Sequence, residues 1–474
     1  MQKKILITVS GGGVARDILR SGVLSHVRAS GHHIILAVPR DKNEFYREEF
    51  AASDVDVRTA PMIRPRWADR ILSFFARNAF DSETVRMLQK TELHLHHRWV
   101  VYFCKRFVWL VFGRSRAFHG LMWSLYRTVS PQKEYLDFVR DAKPDMVFIT
   151  DAFGDADMAL WRAASRLFIP CAVMVRSWDN LTNHGILRLM PDRLIVHSPF
   201  IKDLAMRLHH IPENIISMTG IPQYDWYTDT GLFMNREDFC REIGADPGKK
   251  LILFAGIGDF LAPHEWEVVK ILSEEMEAGR MAYPATILFR PHPNFLTQRE
   301  KIRALPGVIF DDRVARYTGQ EKSTMEMGRA EMAHLINSLR HADVVVTGAS
   351  SIAIDASAFD RPIVCIAFDG YADDPYWNSV RRYYRDFTHY QLIAQTHGFR
   401  IAYDKNGMVS FVNEYLRNPS LDSEGRKKIV NEFIWKLDGA SARRLGNAVV
   451  GTKSFNKKGL SLSGKSQMAQ FGEK

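Results

Sequence analysis

Short apolar runs alternate with amphipathic stretches along most of the chain. Residues 4–9 (KILITV) form the first run, closed by the glycines at 11–13. A helix is predicted over 14–29 and a second strand over 33–38. Later runs at 145–150 (DMVFIT), 171–176 (CAVMVR) and 193–197 (RLIVH) are apolar almost throughout. That pattern suits parallel strands covered on both faces. The second half repeats it: strands over 251–255, 286–290, 308–310, 343–347 and 363–367, with helices over 265–278, 332–341 and 352–359. Strands alternating with helices predict a doubly wound α/β sheet, here twice in succession. The joint falls within 220–249, where Pro222, Gly231, Gly244, Pro247 and Gly248 gather. The expected domains are therefore 1–225 and 226–451.

Two segments break the alternation. Residues 62–130 form an insert rich in Arg, His and aromatics. Within it, 99–112 (WVVYFCKRFVWLVF) is apolar except for Lys105 and Arg106. Trp123, Tyr126, Arg114, Arg116 and Arg127 lie nearby. Rings beside cations suit a helix lying on an anionic membrane surface, through residues 94–127. A buried helical hairpin is the competing expectation, since the apolar residues run almost all the way round. Residues 452–474 are rich in Lys, Ser and Gly and are expected to lack fixed structure.

A length of 474 residues exceeds one ordinary core and agrees with two domains. Hydrophobic residues at 46% and charged ones at 25% exclude wholesale disorder. The net charge of +10 admits an anionic membrane or a phosphorylated substrate, and equally a plain solvated basic surface. No nucleic-acid partner is expected. The four cysteines lack CxxC spacing, so neither a metal site nor a disulfide framework is expected. The N-terminus reads as a first strand, not a signal peptide. No apolar stretch reaches the roughly 18 residues of a spanning helix, so a place in the cytosol or on the inner membrane face is expected.

Candidate chemistry gathers where strands end. Gly256 and Gly258 follow the strand at 251–255, and a glycine pair there lets backbone amides approach a phosphate. Arg290-Pro291-His292-Pro293 closes the next strand. Arg290 offers a planar fork for phosphate oxygens, and His292 can donate to a phosphate or act as an acid on a leaving group. Gly348-Ala349-Ser350-Ser351 joins a strand to a helix, whose first N–H groups face any anion there. Asp355, one turn on, can accept from a ribose hydroxyl or serve only as a charged helix surface. In the first half, Trp178-Asp179-Asn180 and His184 follow the strand at 171–176. Asp179 or His184 is a candidate base for an acceptor hydroxyl, with Asp151 as a rival. Trp178 can stack on a sugar and Asn180 can bind the acceptor or form an Asx turn. Gly12 and Gly13 face the acceptor or make a plain turn. No Ser-His-Asp order and no HExxH zinc motif is present.

These segments together resemble the GT-B glycosyltransferases. The similarity is greatest to the branch shared with CDP-glycerol glycerophosphotransferases and UDP-N-acetylglucosamine 2-epimerases. Gly348–Ser351 with Asp355 and Asp360-Arg361-Pro362, and the 290–293 segment, carry it. Met218–Asp225 (MTGIPQYD) resembles the bridge into the second domain, and 437–444 (LDGASARR) the closing stretch. The likeness spans about 144–450. The segment around 177–185 resembles one in surface-polysaccharide transferases. The resemblance implies a nucleotide diphosphate held by Arg290, His292, Ser350 and Ser351, with Asp355 near the ribose. It also implies no required metal or cofactor beyond a nucleotide-sugar substrate. The chain lacks the glycerophosphotransferases' glycine-threonine-proline-leucine-lysine motif and the epimerases' glycine-histidine-arginine-arginine-glutamate run. The expected activity is therefore sugar transfer from a nucleotide-sugar to a surface-polysaccharide or lipid-linked acceptor. The alternatives are CDP-alcohol phosphotransfer, 2-epimerisation and a catalytically dead scaffold.

Overall fold

A computed structural model describes residues 2–64, 66–129, 131–317 and 325–453. Seven parallel strands make the first sheet: β1 (Lys4–Thr8), β2 (His33–Val38), β3 (Val55–Thr59), β4 (Met146–Ile149), β5 (Cys171–Met174), β6 (Arg193–Val196) and β7 (Ile216–Met218), in the order β3-β2-β1-β4-β5-β6-β7. Alternate β1 residues enter opposite cores. Ile5 and Ile7 pack on one face and Leu6 on the other, as the two-residue period of a strand requires.

The second sheet contains β8 (Lys250–Ala255), β9 (Ala285–Arg290), β10 (Val308–Phe310), β13 (Val344–Thr347), β14 (Ile363–Ile366) and β15 (Arg400–Ala402). They are again all parallel, ordered β10-β9-β8-β13-β14-β15. A short antiparallel hairpin, β11 (Arg316–Tyr317) and β12 (Met325–Glu326), stands apart from both sheets. Each sheet reverses strand order once, at β1/β4 and at β8/β13. The crevice beyond the strand ends at such a point is where open α/β sheets bind ligands. This is the GT-B architecture.

Three departures from the sequence reading have physical causes. The helix expected over 14–29 is broken, because Gly22 adopts φ +97° and separates Ala15–Arg20 from Val23–Ala29. Strands β3, β7 and β15 were not expected; β7 and β15 have only three residues each, too few for a periodic signal. The last helix, Ser441–Val450, does not stay with the second domain. It crosses back and buries Leu445 and Val449 in the first domain's core, beside Val23 and Val27. Asp225 fixes this crossing by accepting from the Ser441 and Ala442 N–H groups (2.9 and 2.7 Å). Arg444 donates to the Thr219 carbonyl and pairs with Asp438. The two sequence segments at 218–225 and 437–444 thus meet in space as one joint.

The insert contains four helices, Trp67–Asn78, Glu83–His94, Trp99–Phe112 and Arg116–Thr128. The buried-hairpin expectation fails for Trp99–Phe112, of which only Val108 is buried. Phe103 and Phe107 are 60% and 63% exposed, and Trp99, Val100 and Leu110 project as well. Among the described residues no helix is long and apolar enough to cross a membrane. Cys171, Cys240 and Cys365 are buried, and Cys104 is exposed. Of the expected unstructured tail, Thr452 is buried, while residues 454–474 lie outside the described residues.

Candidate functional site

A cavity of about 470 Å³ lies between the two sheets, at the strand ends where both chain reversals occur. The second domain contributes Arg290 from the end of β9, His292 two residues on, and Ser350, Ser351 and Asp355 after β13. The first domain contributes Arg16, Asp151, Arg176 and His184.

Arg290 is buried, and its direction is fixed. Its Nη1 pairs with Asp311 Oδ2 at 2.9 Å. Asp311 is held from behind by His334 Nε2 at 2.9 Å. Burial by itself would raise the Asp311 pKa, but the His334 hydrogen bond and the Arg290 charge hold it down at about 2. The carboxylate is therefore always present to aim the guanidinium. Neither Asp311 nor His334 was singled out from sequence, although Asp311 follows β10 directly. The strand-end rule that located Arg290 would have located it too.

His292 Nδ1 accepts from the Asn294 N–H at 3.0 Å, which leaves the ring hydrogen on Nε2. Burial lowers its pKa to about 4, and its ring stacks on Phe295. A neutral imidazole at pH 7 can donate a hydrogen bond but holds no extra proton for a leaving group.

The glycines behave differently from the sequence reading. The Ile257 and Gly258 N–H groups donate to the buried Glu265 carboxylate (2.5 and 3.2 Å), and the Gly256 N–H to the Arg290 carbonyl. Those amides are already taken. Gly258, at φ +83°, is needed because a side chain would meet Phe295, and Gly348 because one would meet Ile257. Gly256 lines the cavity, whereas Gly258 and Gly348 do not. Ser350 Oγ accepts from the Ile352 N–H at 3.3 Å, and Ser351 makes no side-chain cap. Asp355 is no surface charge. It is buried, accepts from Tyr227 Oη at 2.8 Å, and titrates near 6, raised by burial against the Tyr227 hydrogen bond and Arg16.

On the opposite wall, Asp179 accepts from Ser177 Oγ and from Asn183 Nδ2 (2.6 Å) and does not line the cavity. Asp151 Oδ1 accepts from the Phe153 and Gly154 N–H groups, which ties it to the start of helix Asp155–Arg166. Trp178 lines the cavity, and its ring meets those of His389, Tyr390 and Phe433 of the second half at 75–90°. Asn180 lines the cavity, and its Oδ1 accepts from the Ser177 N–H three residues earlier at 2.9 Å, which is not the Asx turn. Gly12 is covered by the second domain, since a methyl there would collide with the Met325 carbonyl, and Gly13 lies against Arg176. Neither opens onto the cleft. His184 remains, and burial lowers its pKa below 6.5.

Residues 187–451 match the family model described as CDP-glycerol:poly(glycerophosphate) glycerophosphotransferase, which spans more than half of the chain. The chain belongs to this family. The match begins just after the 177–185 segment, so it covers the whole second domain but not the Asp179–His184 region. Among curated proteins none matches the chain. Among solved structures, a UDP-N-acetylglucosamine 2-epimerase from Neisseria meningitidis, bound to UDP-GlcNAc, is similar at 11% identity and TM-score 0.53. The alignment covers 94% of this chain and 99% of that one. A glycosyltransferase from Rickettsia africae is similar at 11% identity and TM-score 0.50, over 95% and 100%. At such identities the likeness establishes the GT-B fold. Family and fold together make the protein a transferase of the glycosyl or glycerophosphoryl kind.

Proposed function

We propose that this transferase moves a sugar from a nucleotide-sugar to a hydroxyl of a surface-polysaccharide or lipid-linked acceptor. One observation carries the reading. His184 lines both the interdomain cavity and a second, larger cavity in the first domain. A donor in one and an acceptor in the other meet at its imidazole. Below its usual pKa of about 6.5 it is neutral at pH 7 and can take the hydroxyl proton. Arg290, Ser350, Ser351 and the His292 Nε2–H hold the departing diphosphate, with Asp355 near the ribose. The protein's own cations supply the countercharge, and we propose that no metal or other cofactor is required; EDTA is expected to leave the rate unchanged, and loss of activity on chelation would overturn this.

The family match favours a second reading, transfer of glycerophosphate from a CDP-alcohol. The released nucleotide separates the two. Nucleoside diphosphate marks sugar transfer and nucleoside monophosphate marks phosphoalcohol transfer. Isomerisation of the donor without acceptor would instead indicate an epimerase. His184→Asn is expected to cut transfer by about 10²–10⁴-fold with donor binding intact. Transfer at wild-type rate would remove His184 from the mechanism.

The exposed helix Trp99–Phe112, with Arg98, Arg106 and Arg114 beside it, fits peripheral attachment to an anionic inner membrane face. Co-sedimentation with vesicles containing phosphatidylglycerol, lost in the double variant F103E/F107E, tests that placement. Equal sedimentation of both proteins would sink it.

A further inference from the structure

A general base must sit within hydrogen-bond reach of the proton it takes, so its ring has to be aimed. Nothing polar aims His184: neither of its ring nitrogens has a hydrogen-bond partner among the described residues. Two buried side chains behind it do. Neither lines the two cavities that meet at His184. Phe153 is 7% exposed and stacks on the His184 ring, with centroids 5.3 Å apart and planes at 25°. Phe153 also meets the ring of His209 edge-on at 6.5 Å, and Phe80 stacks on His209 at 4.8 Å.

His209 is fully buried and clamps the loop that carries the base. Its Nδ1 accepts from the Leu187 N–H at 3.1 Å, and its Nε2–H donates to the Leu181 carbonyl at 2.9 Å. These two contacts bracket His184, one before it in the chain and one after. A carbonyl only accepts and a backbone N–H only donates, so the pair fixes the His209 tautomer. Burial holds the His209 pKa down at about 4, so the clamp stays neutral at any pH where a neutral His184 can work. Asp151 completes the arrangement. Its Oδ1 accepts from the Phe153 and Gly154 N–H groups (2.9 and 3.1 Å), which fixes the turn that presents Phe153. The rival candidate base thus stands behind the base.

We infer that Phe153 and His209 are positioning residues for His184: His209 pins both sides of its loop, and Phe153 sets the plane of its ring. The inference rests on the transfer reading above, in which His184 is the base, and adds what aims it. The stacked ring also keeps water from one face of the imidazole. Burial has the largest effect on the His184 proton and lowers its pKa; Asp179 and Asp151 raise it, and Arg188 and Arg77 lower it. Removing the ring cover alters none of those charges, so it moves the pKa up towards 6.5.

NMR titration of protein carrying isotope-labelled histidine reads the His184 pKa, with H184N identifying the signal. Wild type, F153L, F153Y and H209F are compared. F153L fills the same core without a flat ring, so the comparison stands should H209F fail to fold. F153L and H209F are expected to titrate above wild type, and F153Y, which restores the ring, at the wild-type value. Turnover is followed as nucleotide released from UDP-N-acetylglucosamine and from CDP-glycerol, with a total lipid extract as the acceptor source. In F153L and H209F kcat should fall by about tenfold or more, its acid limb moving to higher pH, while KM for the donor is unchanged. F153Y should turn over near the wild-type rate. Equal midpoints and equal kcat in wild type and F153L would overturn the inference. So would a parallel loss of kcat, donor affinity and melting temperature that F153Y does not restore, the mark of a core residue only. Wild-type turnover in H184N would remove the base reading underneath, a separate failure that leaves the NMR midpoints untouched.

Discussion

At the scale of single residues, buried carboxyls do most of the positioning, and their titration makes that testable. Asp311 aims Arg290 and stays ionised down to about pH 2. Asp311→Asn should weaken donor binding by about tenfold or more, since a charge-assisted hydrogen bond is worth roughly 1.5–3 kcal/mol. Titration calorimetry with the donor identified by thermal shift would show this, and unchanged affinity would mean that Arg290 needs no partner. Asp157 behaves in the opposite way. It is buried beside β1 and β4, accepts from Thr8 and Thr150, and burial raises its pKa from 3.8 to about 7. An acid whose folded pKa is raised holds its proton in the folded state. Its stabilising effect is complete below pH 4 and is lost as the pH rises towards and past 7. Asp157→Asn keeps an acceptor at the same oxygen and removes the titration. The variant should therefore gain on wild type as the pH climbs from 4 to 8, by up to about 4 kcal/mol. Denaturant midpoints at the two pH values would reveal the trend, and parallel curves would contradict it.

At the scale of elements, the turn after β1 shows how one glycine differs from its neighbour. Gly12 has the Met325 carbonyl against it, whereas space around Gly11 is open and its backbone is extended, a conformation any residue adopts. Gly12→Ala should cost about 1–3 kcal/mol through forced displacement, while Gly11→Ala should be near neutral. Chemical denaturation of the pair decides this, and equal costs would mean the hairpin yields easily. Much of this level was legible beforehand. The strands at 33–38 and 308–310 fall where the apolar runs placed them. Three residues carry no period, so the wholly apolar 308–310 run was legible while 216–218 (ISM) and 400–402 (RIA), which contain polar residues, were not.

At the scale of the whole molecule, the two domains are joined by polar contacts as well as apolar ones. Glu326 of β12 is fully buried against the first domain, where Arg20, Lys42 and Tyr46 all donate to it at 2.6–2.7 Å. Removing one partner of a buried charge cluster strands the others. Glu326→Ala should lower stability by about 3–5 kcal/mol. It should also open the cleft, seen as a larger radius of gyration in small-angle scattering. An unchanged radius would show that the domains hold together without the clasp. No local pattern marks Glu326: its partners lie some 280–306 residues away in the chain.

The sequence by itself determined what depends on neighbours along the chain. It set the apolar runs that must become covered parallel strands, the glycine and proline joints between them, and the strand-end positions of Arg290, His292, Ser350 and His184. Tertiary structure decided which of the polar groups are free. Gly256–Gly258 offered amides to a phosphate until Glu265 was seen to hold two of them. Asp179 led the candidate bases, ahead of His184 and Asp151, until their neighbours were known, and of the three only His184 lines both cavities. A hydrogen-bonding group does chemistry only if the fold leaves it unspent, and the partners that spend it arrive from distant parts of the chain.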